Sequence, residues 1–159
     1  MMPITLTKPQ RILIIGGGRA AEIKAKTALR YDQQVTLLAP EFSAECVELN
    51  CARIEADFYQ CNPKKWIGFD LFYIALPWPS DLTQQLFICQ VSSRLIELGK
   101  LVCVSCQPRL GNMVNPCSRS VGDSIIAVSG PGNDPKQTRL HTLMLSQTLS
   151  KFQQGQSIQ

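Results

Sequence analysis

The sequence predicts an α/β fold: a parallel sheet with helices on both faces, followed by a smaller appendage. Three observations carry this. Short, continuously apolar runs such as ILII, LFYIA and LVCV alternate with longer helix-like stretches, as expected for strands buried on both faces by crossover helices. The first apolar run passes straight into three glycines and then a helical segment, RILIIGGGRAAEIKA. The alternation fades after Val104, where Pro108, Gly111, Asn112, Asn115 and Pro116 punctuate a stretch without clear period.

Each element has its own warrant. Arg11–Ile15 reads as a buried strand and Ala20–Arg30 as a helix. Gln34–Leu38 (QVTLL) reads as a second strand, and Ser43–Leu49 as a short helix opened by Ser43 as N-cap. Arg53–Ala56 is a third strand and Leu71–Ala75 a fourth, nearly all apolar. Leu82–Leu98 is a long helix, with Ser80 or Asp81 as its cap and Gly99 closing it. Leu101–Val104 is the fifth strand. Beyond the aperiodic stretch, Ser124–Ser129 (SIIAVS) reads as one more strand, Gly130–Pro135 (GPGNDP) as a turn and Lys136–Phe152 as a helix. Its apolar side is expected to hold Leu140, Leu143, Met144, Leu145 and Leu149, and the final GQSIQ to fray. A boundary is expected near residue 106, giving domains 1–106 and 107–159.

Composition narrows the function. Hydrophobic residues make up 45% of the chain and charged ones 18%, enough apolar matter for a sizeable core and too little charge for disorder. The net charge of +4 favours anionic ligands, but the Lys and Arg residues are scattered and no aromatic-basic patch marks a nucleic-acid surface. The first apolar run, Ile12–Ile15, stops at Gly16, too short for a signal-peptide core or a membrane span, so a cytoplasmic protein is expected. Seven cysteines, an odd count without a secretion signal, argue against a disulfide framework and for reduced, packed thiols.

The glycines follow a strand and open a helix in the pattern G-x-G-x-x-A, the dinucleotide-binding fingerprint of the Rossmann fold in its required context. Gly16 permits the tight turn, Gly18 lets backbone approach a pyrophosphate, and Ala21 keeps the helix close to the strand. The helix N-terminus offers unpaired N–H groups and partial positive charge to phosphates. Gly17 and Ala20 belong to the same turn, and Arg19 can add a side-chain charge. The alternative is a glycine turn that only permits close packing. The ribose-binding acid belongs at the end of the second strand. There the chain reads Ala39, Pro40, Glu41, with no Arg to take a 2′-phosphate, so NAD is expected over NADP.

GGGRAAEIKA followed by VTLLAPEFS resembles the N-terminal module of siroheme synthase, the precorrin-2 dehydrogenase/sirohydrochlorin ferrochelatase family. Gly16, Gly17, Gly18, Ala20, Ala21, Lys24 and Ala25 carry the first block, and Ala39 and Pro40 the second. MVNPC (Met113–Cys117) and SIIAVSGPGNDP extend the resemblance in the right order over roughly residues 3 to 150. It implies a Rossmann-like domain followed by a small α+β dimerisation region, a homodimer, and NAD-dependent oxidation of precorrin-2 to sirohydrochlorin. Ferrous iron insertion ranks below that. The tetrapyrrole carries many carboxylates, which would suit Arg109, Arg119, Lys136 and Arg139. Asn112 and Ser129 join Arg109 and Arg139 as implied substrate-binding positions, Ser129 matching best the serine that some members phosphorylate.

Three departures sit at the chemistry. The family's Asp pair after the fifth strand falls on Cys106 and Gln107, leaving Cys106 as the candidate for proton transfer if something lowers its pKa. The loop after the fourth strand reads ALPWPSD. Leu76 and Trp78 would flank the nicotinamide there, the indole either stacking on a ligand or packing over the sheet edge. The chain also ends where the family's C-terminal helical domain would begin. Cys103-x-x-Cys106 with Cys117 raises a metal or redox role as a trailing reading, and His141 reads as a helix-surface or interface residue. Two functions therefore stand side by side: the dehydrogenase, and a non-catalytic relative that binds a nucleotide, a tetrapyrrole or a protein partner.

Overall fold

The computed structural model describes residues 5–130 and 134–155. The chain divides into two compact units, one spanning Thr5–Val114 and the other beginning at Asn115.

The first unit is a five-stranded parallel sheet. Its strands are β1 (Arg11–Ile15), β2 (Gln34–Ala39), β3 (Ala52–Glu55), β4 (Leu71–Ile74) and β5 (Leu101–Val104), in the order β3-β2-β1-β4-β5. β1 lies at the centre, pairing Ile14 with Leu37 of β2 on one side and with Tyr73 of β4 on the other. Its helices are α1 (Arg19–Arg30), α2 (Ala44–Val47) and α3 (Leu82–Glu97). The expected strands and helices are all present within a residue or two. Ser43 caps α2, Asp81 rather than Ser80 caps α3 by accepting the Gln84 N–H, and Gly99 follows α3 at φ 74°.

Side-chain alternation along the strands builds two cores. Ile12, Ile14, Leu37, Leu71 and Tyr73 meet Ala21, Ala25 and Ala28 of α1 on one face. Leu13, Ile15, Phe72, Ile74, Val102 and Val104 meet Ile88, Val91 and Leu95 of α3 on the other, with Phe58 and Trp66. Each fully buried Leu or Ile stabilises the sheet by roughly 1.5–3 kcal/mol. The alanines let α1 lie close to β1 and β2. Lys24, one of the residues that carry the family resemblance, sets its ammonium 5.1 Å from the centre of the Tyr73 ring.

The first unit continues past residue 106 because residues 111–113 cover the open edge of β5. The Asn112 and Met113 N–H groups both donate to the Val102 carbonyl, at 3.0 and 3.1 Å. The Asn112 side chain accepts the Val102 N–H at 2.7 Å and donates to the Lys100 carbonyl at 2.9 Å. Gly111 is needed there, since a Cβ would lie 2.5 Å from the Val102 oxygen.

The second unit contains β6 (Cys117–Val121), β7 (Ser124–Val128) and α4 (Pro135–Gln153). β6 and β7 form an antiparallel hairpin closed by Gly122 at φ 54°, a conformation suited to glycine. β6 was not expected: its sequence, CSRSV, lacks the alternation that marks a strand. The apolar side of α4 lies largely open in the single chain. Leu140, Met144 and Leu145 are exposed, Leu143 and Leu149 are half-buried, and the buried residues are Thr142 and Ser146. Their hydroxyls are satisfied within the helix, Thr142 donating to the Thr138 carbonyl at 2.7 Å and Ser146 to that of Leu143 at 2.7 Å. Small self-bonded side chains thus face the hairpin. Residues 131–133 of the expected turn and 156–159 of the expected frayed end lie outside the described residues.

Candidate functional site: the turn between β1 and α1

The chain runs from β1 through β2 to β3 on one side of the sheet and then crosses back to β4 and β5 on the other, so the order reverses between β1 and β4. The crevice outside the carboxyl ends of such strands is where open α/β sheets bind ligands. The glycine turn lies there, and each glycine has a different reason. Gly16 has φ 134° and donates its N–H to the Leu38 carbonyl at 2.8 Å, and a Cβ on it would lie 2.9 Å from the Ala75 oxygen. A Cβ on Gly17 would lie 2.0 Å from the Glu41 oxygen and 3.0 Å from the Ala39 Cβ. Packing within the chain therefore accounts for both.

Gly18 is different. Its φ of −107° suits any residue, and a Cβ there would meet no heavy atom within 4 Å. It is the N-cap of α1, and no side chain caps the helix. The open side of Gly18 and the uncapped first turn of α1 face outward together, the arrangement that accepts a phosphate against bare backbone. The residues present fit a dinucleotide.

Around this turn the predicted residues divide. Ala39 is buried beneath Gly17, Pro40 and Glu41 are exposed at the end of β2, and Ala20 is exposed on the first turn of α1. Arg19 is 77% exposed, and its Nη1 lies 2.8 Å from Glu22 Oε2. Glu22, which sequence reasoning missed, is buried and also receives Lys26 Nζ at 2.6 Å. The Lys26 hydrogen bond, with Arg19 adding to it against burial, holds the Glu22 carboxyl below its usual range. The charge of Arg19 is therefore already matched by a carboxylate. The only advance signal was the spacing Arg19, Glu22, Lys26, which puts both cations within reach of one acid on a helix.

Leu76 and Trp78, in the loop after β4, are half-buried and pack against the α3-side core. The Pro79 carbonyl accepts from Gln85 at 2.9 Å and anchors that loop. Cys106 joins the same core, and burial pushes its thiol pKa up, though its own and the Gln107 N–H act against this. That direction is opposite to what proton transfer near neutrality requires. Tyr59 packs on this core as well, its pKa raised by burial and by Asp57, Cys106 and Asp81. Cys103 lies in the α1-side core, so the Cys103-x-x-Cys106 thiols sit on opposite faces of the sheet. Among the described residues no group of three or more His, Cys, Asp or Glu side chains is placed to hold a metal.

Of the implied substrate residues, Arg109 is exposed on a single 3-10 turn, Pro108–Leu110. Asn112 uses its amide oxygen and nitrogen on the Val102 N–H and the Lys100 carbonyl, at the edge of β5. Ser129 and Arg139 are exposed in the second unit, after β7 and on α4, as is His141 on α4. No described helix is long and apolar enough to cross a membrane.

Residues 5–117 match a protein family described as "Putative NAD(P)-binding". The chain belongs to this NAD(P)-binding family. Among solved structures, the fold matches that of "SirC, precorrin-2 dehydrogenase" with a TM-score of 0.70 and 21% identity, over 97% of this chain and 76% of that one. This shows a shared Rossmann-like fold. A second match, to an NAD-dependent NDP-hexosamine 5,6-dehydratase, TunA, has a TM-score of 0.44 and 20% identity over 59% of this chain and 36% of that one. No curated protein matches in sequence.

Proposed function

We propose that the chain is an NAD-dependent precorrin-2 dehydrogenase. The observation that carries the reading is Gly18: a glycine that nothing in the chain's own packing requires, at the uncapped start of a helix. In this reading the N–H groups of Gly18, Arg19 and Ala20 take the diphosphate, and Glu41 at the end of β2 takes a ribose hydroxyl. Bound NAD would supply the hydride acceptor. The exposed guanidinium group of Arg109 would meet a carboxylate of the macrocycle. The likeness to a precorrin-2 dehydrogenase extends over 97% of the chain, beyond the nucleotide-binding unit, and supports this choice of substrate.

The same reading makes the second unit a dimerisation region in a cytoplasmic homodimer. Val121 is the one buried apolar side chain among that unit's described residues, while Leu140, Met144 and Leu145 are exposed on α4. A symmetric pairing would cover them. The second reading, binding without turnover, is favoured by one observation: Cys106 and Gln107 stand where the family carries acids, and the Cys106 thiol is pushed away from neutrality.

One assay separates the two. Purified protein is mixed with NAD and precorrin-2, and NADH absorbance is followed. NADH formation above the protein-free control supports the dehydrogenase. None, with NAD still quenching Trp fluorescence, leaves the binding module.

A further inference from the structure

We propose that the segment Ser43–Cys46, at the start of α2, is a positioning element for the nucleotide turn, with the Cys46 thiol as its side-chain strut. The inference rests on the cofactor reading above and deepens it.

Two successive carbonyls of the glycine turn are held from this one short stretch. The Ser43 N–H donates to the Gly17 carbonyl at 2.8 Å. The Cys46 thiol donates to the Gly18 carbonyl, with Sγ 3.8 Å from the oxygen. Ser43 caps α2 by accepting the Cys46 N–H at 3.4 Å, which fixes the two donors relative to each other. Cys46 is wholly buried, so water does not compete for its weak donor. The Gly18 carbonyl also accepts the Glu22 N–H at 3.0 Å, the first backbone bond of α1.

The consequence follows from peptide planarity. A peptide unit joins the carbonyl of one residue rigidly to the N–H of the next. Holding the Gly17 carbonyl therefore aims the Gly18 N–H, and holding the Gly18 carbonyl aims the Arg19 N–H. Those are two of the groups assigned to the diphosphate. The segment after β2 thus orders the anion-binding backbone before a ligand arrives, lowering the ordering cost of binding. Gly17 needs to be glycine for the same reason, because the chain at Ala39 and Glu41 presses against it to bring Ser43 within reach.

Two variants test the strut, Cys46→Val, which fills the space without a donor, and Cys46→Ala, which removes both. NAD affinity, thermal stability and backbone amide spectra are measured on the full chain. Both variants are expected to weaken NAD binding about three- to tenfold. Both should shift the Gly18 and Arg19 amide signals of the ligand-free protein, with Cys46→Val melting near wild type. Restored binding and an unchanged amide spectrum in Cys46→Val would reduce Cys46 to packing and overturn the proposal. If the wild type binds neither NAD nor NADP, the cofactor reading fails separately. Hydrogen exchange at the Glu22 amide then decides: faster exchange in both variants supports the strut, and unchanged exchange overturns it.

Discussion

Replacing Gly18 with alanine should separate ligand binding from folding. The backbone there has φ −107° and ψ −163°, open to any residue, and the new methyl would meet no heavy atom within 4 Å. The structural cost is that of alanine instead of glycine at an N-cap, within about 1 kcal/mol. The methyl would nevertheless stand on the face where a diphosphate must reach the N–H groups of α1. NAD binding is expected to weaken about tenfold or more, or about 1.4 kcal/mol. Gly17→Ala is the contrast. Its Cβ would lie 2.0 Å from the Glu41 oxygen, and neither that backbone nor the Ala39 methyl at 3.0 Å can swing aside. Overpacking of this kind costs about 3 kcal/mol, lowering Tm by roughly 6–12 °C in a chain of this size. Thermal unfolding and NAD titration of both variants provide the test. A Gly18→Ala protein that binds NAD like the wild type would refute the reasoning, and so would one that melts as early as Gly17→Ala.

Three further outcomes follow from the same contacts. Asn112→Ala should lower stability by about 1–3 kcal/mol in denaturant unfolding, because it strips a partner from the buried Val102 N–H. Ser92→Ala should leave stability unchanged or raise it by up to about 1 kcal/mol, since its buried hydroxyl has no hydrogen-bond partner. Glu22→Gln tests the buried acid through pH. Its folded pKa lies below the ordinary 4.5, so its stabilisation is full above that value and is lost as pH falls through the folded one. The stability gap between wild type and variant should hold from neutral pH to about 4.5 and close below it. A gap independent of pH would show that Glu22 is not stabilised as the anion.

The strands of the sheet were legible because burial on both faces forces unbroken apolar runs, as in LFYI and LVCV. The glycine turn and the caps at Ser43, Asp81 and Gly99 were legible because each serves a local backbone need that few residue types meet. What escaped depends on neighbours distant in sequence. CSRSV becomes a strand only because SIIAV pairs with it. Thr142 and Ser146 face the hairpin because their hydroxyls can bond back to the helix, and the periodicity of the leucines gave no sign of that second packed face of α4. The Asn112 amide pairs along the edge of β5 as a sixth strand would, a role its sequence neighbours do not announce. Glu22 and Cys46 became visible only once α1 and α2 were placed, since neither belongs to the glycine pattern.

The most direct test of the central claim is a titration of the full chain with NAD, followed residue by residue through its backbone amide signals. Saturable shifts centred on Gly18, Arg19 and Ala20 are predicted. Binding that leaves those three signals still while others move, or no binding of NAD or NADP at all, would contradict it.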